Sequence, residues 1–261
     1  LDFIYINMKT NHCIYHDICP VIKSNMDQDV PMVGDGFIGE FKDFHLNATD
    51  INDKKPIVLM IGEAPATEEE QLLTPFVGKA GKVLRKSLYD AGFFNTFNVV
   101  LTNAVKCRPI DIENNKNFRT PTNEEISYCV TNNLSDLYKN IILTPDLLWT
   151  HKNRGPAFLN NLYVILLGSS AIKAQIAFAG QENIVKASSK TPIDTKANIG
   201  ELIKYKYITN VNLNSINVQI LTYIAYHPAF YARNPLNINE YDTCFSKIYS
   251  SIKETKNKFP Q

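Results

Sequence analysis

The sequence predicts an α/β fold, a three-layer αβα sandwich around a central, mostly parallel sheet. Three observations carry this expectation. The runs at 57–61 and 162–167 are continuously apolar and of strand length, as strands covered on both faces are. Each is stopped by a glycine, Gly62 or Gly168, and is followed by residues at helical spacing. Strands alternate with helices along the chain, the order that builds parallel sheets.

Residues 1–56 lack clear periodicity and hold Cys13, Cys19 and a turn at Gly34-Asp35-Gly36, with 41–55 polar and loop-like. After the 57–61 strand, Ala80, Val83, Leu84, Leu88 and Ala91 mark a helix over 78–91, with Gly92 as its C-cap. A strand fits 99–105. Thr122 and Glu125 form a capping box that opens a helix running to about 139. A helix over 169–179 follows the 162–167 strand, 181–200 reads as loop, and 203–211 with 218–225 reads as a hairpin. The last helix covers 238–253. The chain is expected to be a single domain over 1–261, a core of 57–261 preceded by the segment 1–56.

The 261 residues are 44% hydrophobic and 20% charged, which fits a folded globular chain. No apolar run approaches bilayer-spanning length, so no membrane role is expected. Residues 1–9 lack the basic flank and small-residue cleavage site of a signal peptide; the first residue is Leu, and Met8 is another candidate start. The net charge of +1 neither favours nor excludes nucleic acid. Five cysteines without a secretory signal point to metal ligation or ordinary buried thiols rather than to a disulfide framework. An intracellular protein is expected, cytoplasmic or nucleoid-associated, encoded by a cellular, viral or phage genome.

Ligands of such sheets bind beyond the carboxyl ends of the strands. Gly62-Glu63-Ala64-Pro65-Ala66 presents a carboxylate at such an end, though strand-Gly-acid-Pro is common in α/β loops. Pro75-Phe76-Val77-Gly78-Lys79-Ala80-Gly81 sets an aromatic before two glycines and a helix. That Phe could stack on a flat base or could simply be core. In Thr102-Asn103-Ala104-Val105-Lys106-Cys107-Arg108-Pro109, the Asn amide can match a pyrimidine edge or bond its own loop. His227-Pro228-Ala229-Phe230-Tyr231-Ala232-Arg233 offers an imidazole beside two aromatics, where a lone His is more often a packing residue.

Taken together and in this order, the stretches resemble the uracil-DNA glycosylase superfamily, most closely its iron–sulfur-containing family 4. That family shows Gly-Glu-Ala-Pro-Gly, Pro-Phe-Val-Gly-x-Ala-Gly, Thr-Asn-x-x-Lys-Cys-Arg-Pro and His-Pro-Ser or His-Pro-Ala. The resemblance covers 57–255, and reaches 13–40 more loosely through two cysteines and Val33-Gly34-Asp35-Gly36. It implies a monofunctional hydrolase that flips uracil out of DNA and excises it, leaving an abasic site in base excision repair. Phe76 is then expected to stack on the base, Asn103 to bond its N3–H and O4, and His227 to face O2. Gly62 lines the same side, and Glu63 orients water or stabilises the sugar cation. Relatives carry an Asp one residue later, where this chain has Ala64, and a Tyr against the thymine methyl, where it has Ala66. Glu69 is the candidate for excluding thymine; alternatively, 68–70 is a solvated helical turn. Phe230 and Tyr231 are expected as wedges, with Arg233 on a phosphate. Lys79 and Lys82, with Arg85 and Lys86, would attract the DNA backbone or form a solvated helix face.

The resemblance also implies a [4Fe–4S] cluster on Cys13, Cys19, Cys107 and Cys129. Five residues separate the first two cysteines here, against two in the family, and His12 and His16 leave zinc or a mixed-ligand site open. Cys244 is expected to be a buried thiol. The chain lacks the Lys-Arg-Arg-Ile-His insert of covalently trapping relatives, so turnover is expected. Other readings are a DNA-binding or polymerase-accessory protein on the same fold, and, since Ala66 is family 5-like, a glycosylase accepting hypoxanthine or xanthine. The expected partner is uracil-containing DNA, bound by a monomer, with a replication or repair protein as a further partner.

Overall fold

The computed structural model describes residues 19–21, 31–38, 43–45, 55–112, 114, 118–142, 157–213 and 216–258. Cys13, His12 and His16 lie outside the described residues. The strands are β1 (Gly36–Ile38), β2 (Asp43–His45), β3 (Ile57–Gly62), β4 (Asn98–Asn103), β5 (Ala157–Leu167), β6 (Ile184–Lys186), β7 (Tyr207–Leu213) and β8 (Ile216–Ala225). They form one sheet in the order β2-β1-β4-β3-β5-β8-β7-β6. The central strands β4, β3, β5 and β8 pair in parallel, and the strands outside them add antiparallel edges.

The helices are α1 (Thr67–Leu72), α2 (Lys79–Asp90), α3 (Phe93–Thr96), α4 (Asn123–Cys129), α5 (Ser135–Ile142), α6 (Ser169–Ala179), α7 (Ile199–Leu202), α8 (Pro228–Arg233) and α9 (Ile238–Lys258). The expected capping box is present: the Thr122 hydroxyl accepts from the Glu125 N–H, and the Glu125 carboxylate accepts from the Thr122 N–H. One π-helical turn, Val130–Leu134, joins α4 to α5. Sequence patterning does not register such a turn, because the helical spacing runs on through it. The stretch read as loop at 181–200 holds β6, which pairs with β7.

Alternation along β3 explains the layers. Leu59 and Ile61 face a core containing Ile126, Tyr138, Ala171 and Ile172. Val58 and Met60 face one containing Leu84, Tyr241, Phe245 and Ile252. Both faces of the strand are therefore apolar, which is why its sequence reads as an unbroken run. Among the described residues, no helix is long and apolar enough to cross a membrane.

Candidate active site

The site forms where the central strands end. Gly62 and Asn103 are opposed as the last pair of β3 and β4. The chains leave together: the Ala104 N–H donates to the Gly62 carbonyl (3.0 Å) and the Val105 N–H to that of Glu63 (3.2 Å). This register brings the first and third motifs into one place. A Cβ on Gly62 would lie 2.4 Å from Phe76 Cζ and 2.5 Å from Asn103 Oδ1, so the absence of a side chain there is what lets the ring and the amide approach.

Phe76 is held by its backbone. It has φ 57°, a left-handed conformation uncommon for a bulky residue and worth about 1–3 kcal/mol of strain. Two groups fix it. The Arg85 guanidinium donates through Nη2 to the Phe76 carbonyl (2.6 Å). Gly81 lets the first turn of α2 press against the same carbonyl, where a Cβ would meet the oxygen at 1.7 Å. Arg85 thus serves the loop under the ring, a use that the phosphate-attracting expectation for this helix did not anticipate. Lys79 and Lys82 are exposed on α2, as that expectation requires.

His227 is the N-cap of α8, at the end of β8. Its ring centroid is 6.1 Å from that of Phe76. The Ala229 N–H donates to Nδ1 (3.3 Å), which leaves the ring proton on Nε2 as a donor. Burial, with the Arg233 charge adding to it, lowers the imidazole pKa to about 4, so the ring is neutral at pH 7. Gly168, at φ 88°, passes close behind it; a Cβ there would sit 3.0 Å from that of His227.

Glu63 is half-buried, and its Oε2 accepts from the hydroxyl of Ser170 at 2.6 Å. Sequence reasoning missed Ser170, although its position just past β5, at the same sheet edge, was the available signal. The acidic run divides its work. Glu68 is exposed. Glu70 pairs with Arg108 (2.7 Å) and ties α1 to the loop after β4, while burial raises its pKa against the pull of Arg108. Glu69 is 7% exposed, and both its oxygens accept backbone N–H groups, from Ala66 (3.1 Å) and Gly78 (2.8 Å). It therefore braces the loop between the first two motifs, and these contacts do not present its carboxylate as a steric wall against thymine.

The two expected wedges separate. Phe230 is 40% exposed and stacks on Tyr226, whereas Tyr231 is 1% exposed and packs on Tyr241. Tyr231 is thus a core residue, a correction that helical geometry explains: neighbouring positions on α8 face different sides. Arg233 is exposed at the end of α8.

Cys19, Cys107 and Cys129 are all buried and belong to one core cluster. Among the described residues, no group of three or more His, Cys, Asp or Glu side chains is placed to hold a metal ion. The loop bearing Cys107 is anchored to the N-terminal segment: Lys106, 5% exposed, pairs with Asp35 and bonds Thr102, and the Val33 N–H donates to the Lys106 carbonyl. Cys244 is half-buried on α9, where burial pushes its thiol up to about 11.

The α/β sheet thus ends in a glycine-backed aromatic, a buried amide and a neutral imidazole. The family model of the uracil DNA glycosylase superfamily matches residues 49–253, and the chain belongs to that superfamily. A type-4 uracil-DNA glycosylase of Pyrobaculum aerophilum is 41% identical over 73 residues, 28% of this chain and 34% of the relative. Those of Archaeoglobus fulgidus (36% over 91 residues, 33% of this chain and 42% of the relative) and Thermotoga maritima (37% over 89, 33% and 43%) are also similar. The chain spans less than half the length of these curated relatives.

Proposed function

We propose that the protein is a monofunctional glycosylase that hydrolyses the bond between uracil and deoxyribose in DNA. The observation that carries this reading is the approach of Phe76 and Asn103 to each other over Gly62, with the His227 ring 6.1 Å from that of Phe76. The base must first leave the stack, at a cost of roughly a few kcal/mol. Phe76 then stacks on it. The Asn103 amide accepts from N3–H and donates to O4, a pattern that cytosine's edge mismatches. As C1′–N1 breaks, its electron pair passes to the base and charge grows on O2, where His227 Nε2–H donates to it. The sugar is left as an oxocarbenium ion. Glu63 faces that cation and orients the water that adds to C1′, and the water's proton passes to Glu63 or to solvent. The uracil anion takes a proton from solvent, and the products are uracil and an abasic site.

On the DNA side, Phe230 fills the gap left by the base, while Arg233, Lys79 and Lys82 meet phosphates. The protein acts as a monomer. The type-4 likeness and the thiol chemistry of Cys13, Cys19, Cys107 and Cys129 support a structural [4Fe–4S] cluster on those four residues. Thiolates are the donors such clusters use, and bound there the cluster would pin the N-terminal segment to the core. Iron and acid-labile sulfide in a brown preparation are the expected result; a colourless, zinc-loaded protein would refute it.

The test of function uses single-stranded and duplex oligonucleotides with one uracil, treated with alkali after incubation. Scission at uracil and not at thymine supports the proposal. Tight binding without scission would point instead to a DNA-binding module.

A further inference from the structure

The turn after β5 carries two serines with opposite surroundings. Ser169 is exposed, and Ser170 is 1% exposed. Serine and threonine within helices commonly turn their hydroxyl back to the carbonyl four residues earlier, as Thr243 does to Asn239 and Ser246 to Asp242. Ser170 lies in the first turn of α6, where the residue four positions earlier, Leu166, is still in β5 and offers no helical carbonyl, and its hydroxyl reaches Oε2 of Glu63, 107 positions away.

We propose that Ser170 is a positioning residue for excision, holding one oxygen of Glu63 so that the other meets the attacking water or the sugar cation. The inference rests on the glycosylase reading. A carboxylate turns easily about its last torsion, which is broad and two-fold. One short charge-assisted bond from a buried, rigidly mounted hydroxyl removes that freedom. The mount is shared, because Gly168 lies in the same turn and passes close behind His227, where a Cβ on it would come within 3.0 Å of the His227 Cβ. One turn after β5 thus fixes the carboxylate on the sugar side and the imidazole on the base side.

The test is single-turnover release of uracil, with affinity for uracil-containing DNA measured alongside. Ser170→Ala should slow release roughly tenfold to a hundredfold while the Kd holds, because the reacting geometry and not the grip on DNA is lost. Ser170→Cys, nearly the same size with a weaker donor, should slow it similarly and covers the case in which the alanine variant folds poorly. Ser170→Thr, which keeps the hydroxyl, should restore most of the rate. In a Glu63→Gln background, Ser170→Ala should cost nothing further. Full activity of Ser170→Ala, or an undiminished loss in the Glu63→Gln background, overturns the role of Ser170 and leaves the glycosylase reading standing. A wild-type protein that releases no uracil overturns both.

Discussion

Phe76 Cζ occupies the space that a side chain at Gly62 would need, 2.4 Å from where the Cβ would be. The ring and the Asn103 amide therefore rest on bare backbone at Gly62. Gly62→Ala should push both aside. A misplacement of about 1 Å costs on the order of a hundredfold in rate. Single-turnover excision should fall by that much, with affinity for undamaged DNA unchanged.

Arg85 and Gly81 hold the Phe76 carbonyl from two sides, so each should matter although neither touches the base. Arg85→Ala should release the left-handed backbone, lowering affinity for uracil-containing DNA and the excision rate together. Arg85→Lys should recover part of both. Equal activity of wild type and Arg85→Ala in a rate and Kd comparison would show that Phe76 is positioned by other means.

How much of this was legible is plain from Phe76 and Glu69. The motifs picked out Gly62, Phe76, Asn103 and His227, because each lies at the end of a strand or beside a glycine turn that local sequence reveals. Local sequence could not tell which groups the side chains would find. Glu69 turns to two backbone N–H groups, Arg85 to a carbonyl nine residues back, and Ser170 to a carboxylate 107 residues away. Those partners exist only once the sheet brings its strand ends together. The core strands were readable because burial on both faces leaves a run of apolar residues. The bend at Val130–Leu134 was not, since it changes hydrogen bonding and not composition.

His227 carries a pH dependence whose sign is fixed. Its folded pKa, about 4, lies below the 6.5 of an ordinary imidazole. Between those values the unfolded chain binds a proton that the folded one does not, so stability falls as pH drops from 6.5 towards 4. The slope approaches about 1.4 kcal/mol per pH unit from this group. Urea unfolding at pH 7 and pH 5 should show wild type losing more stability than His227→Gln. Excision should be flat in this group above pH 6.5; near pH 4 protonation of Nδ1 removes the acceptor that the Ala229 N–H uses to place the ring, and the rate should fall with that placement.

Lys106 and Asp35 form a nearly buried pair between the N-terminal segment and the loop after β4. Removing only the acid leaves a buried ammonium, at a cost of about 3–5 kcal/mol. Asp35→Ala should therefore lower the denaturation midpoint more than Lys106→Met, which leaves behind the more exposed of the two charges, the Asp35 carboxylate. The reverse order in a chemical denaturation series would contradict the pairing.

On the proposed function, one site extrudes and cleaves uracil and no other DNA pyrimidine. Chromatographic measurement of the base released from duplexes alike except for uracil, thymine or cytosine at one position tests it most directly. Uracil is expected in amount equal to the substrate consumed, with neither thymine nor cytosine released. Intact duplex in all three reactions, or release of thymine at a comparable rate, would contradict it.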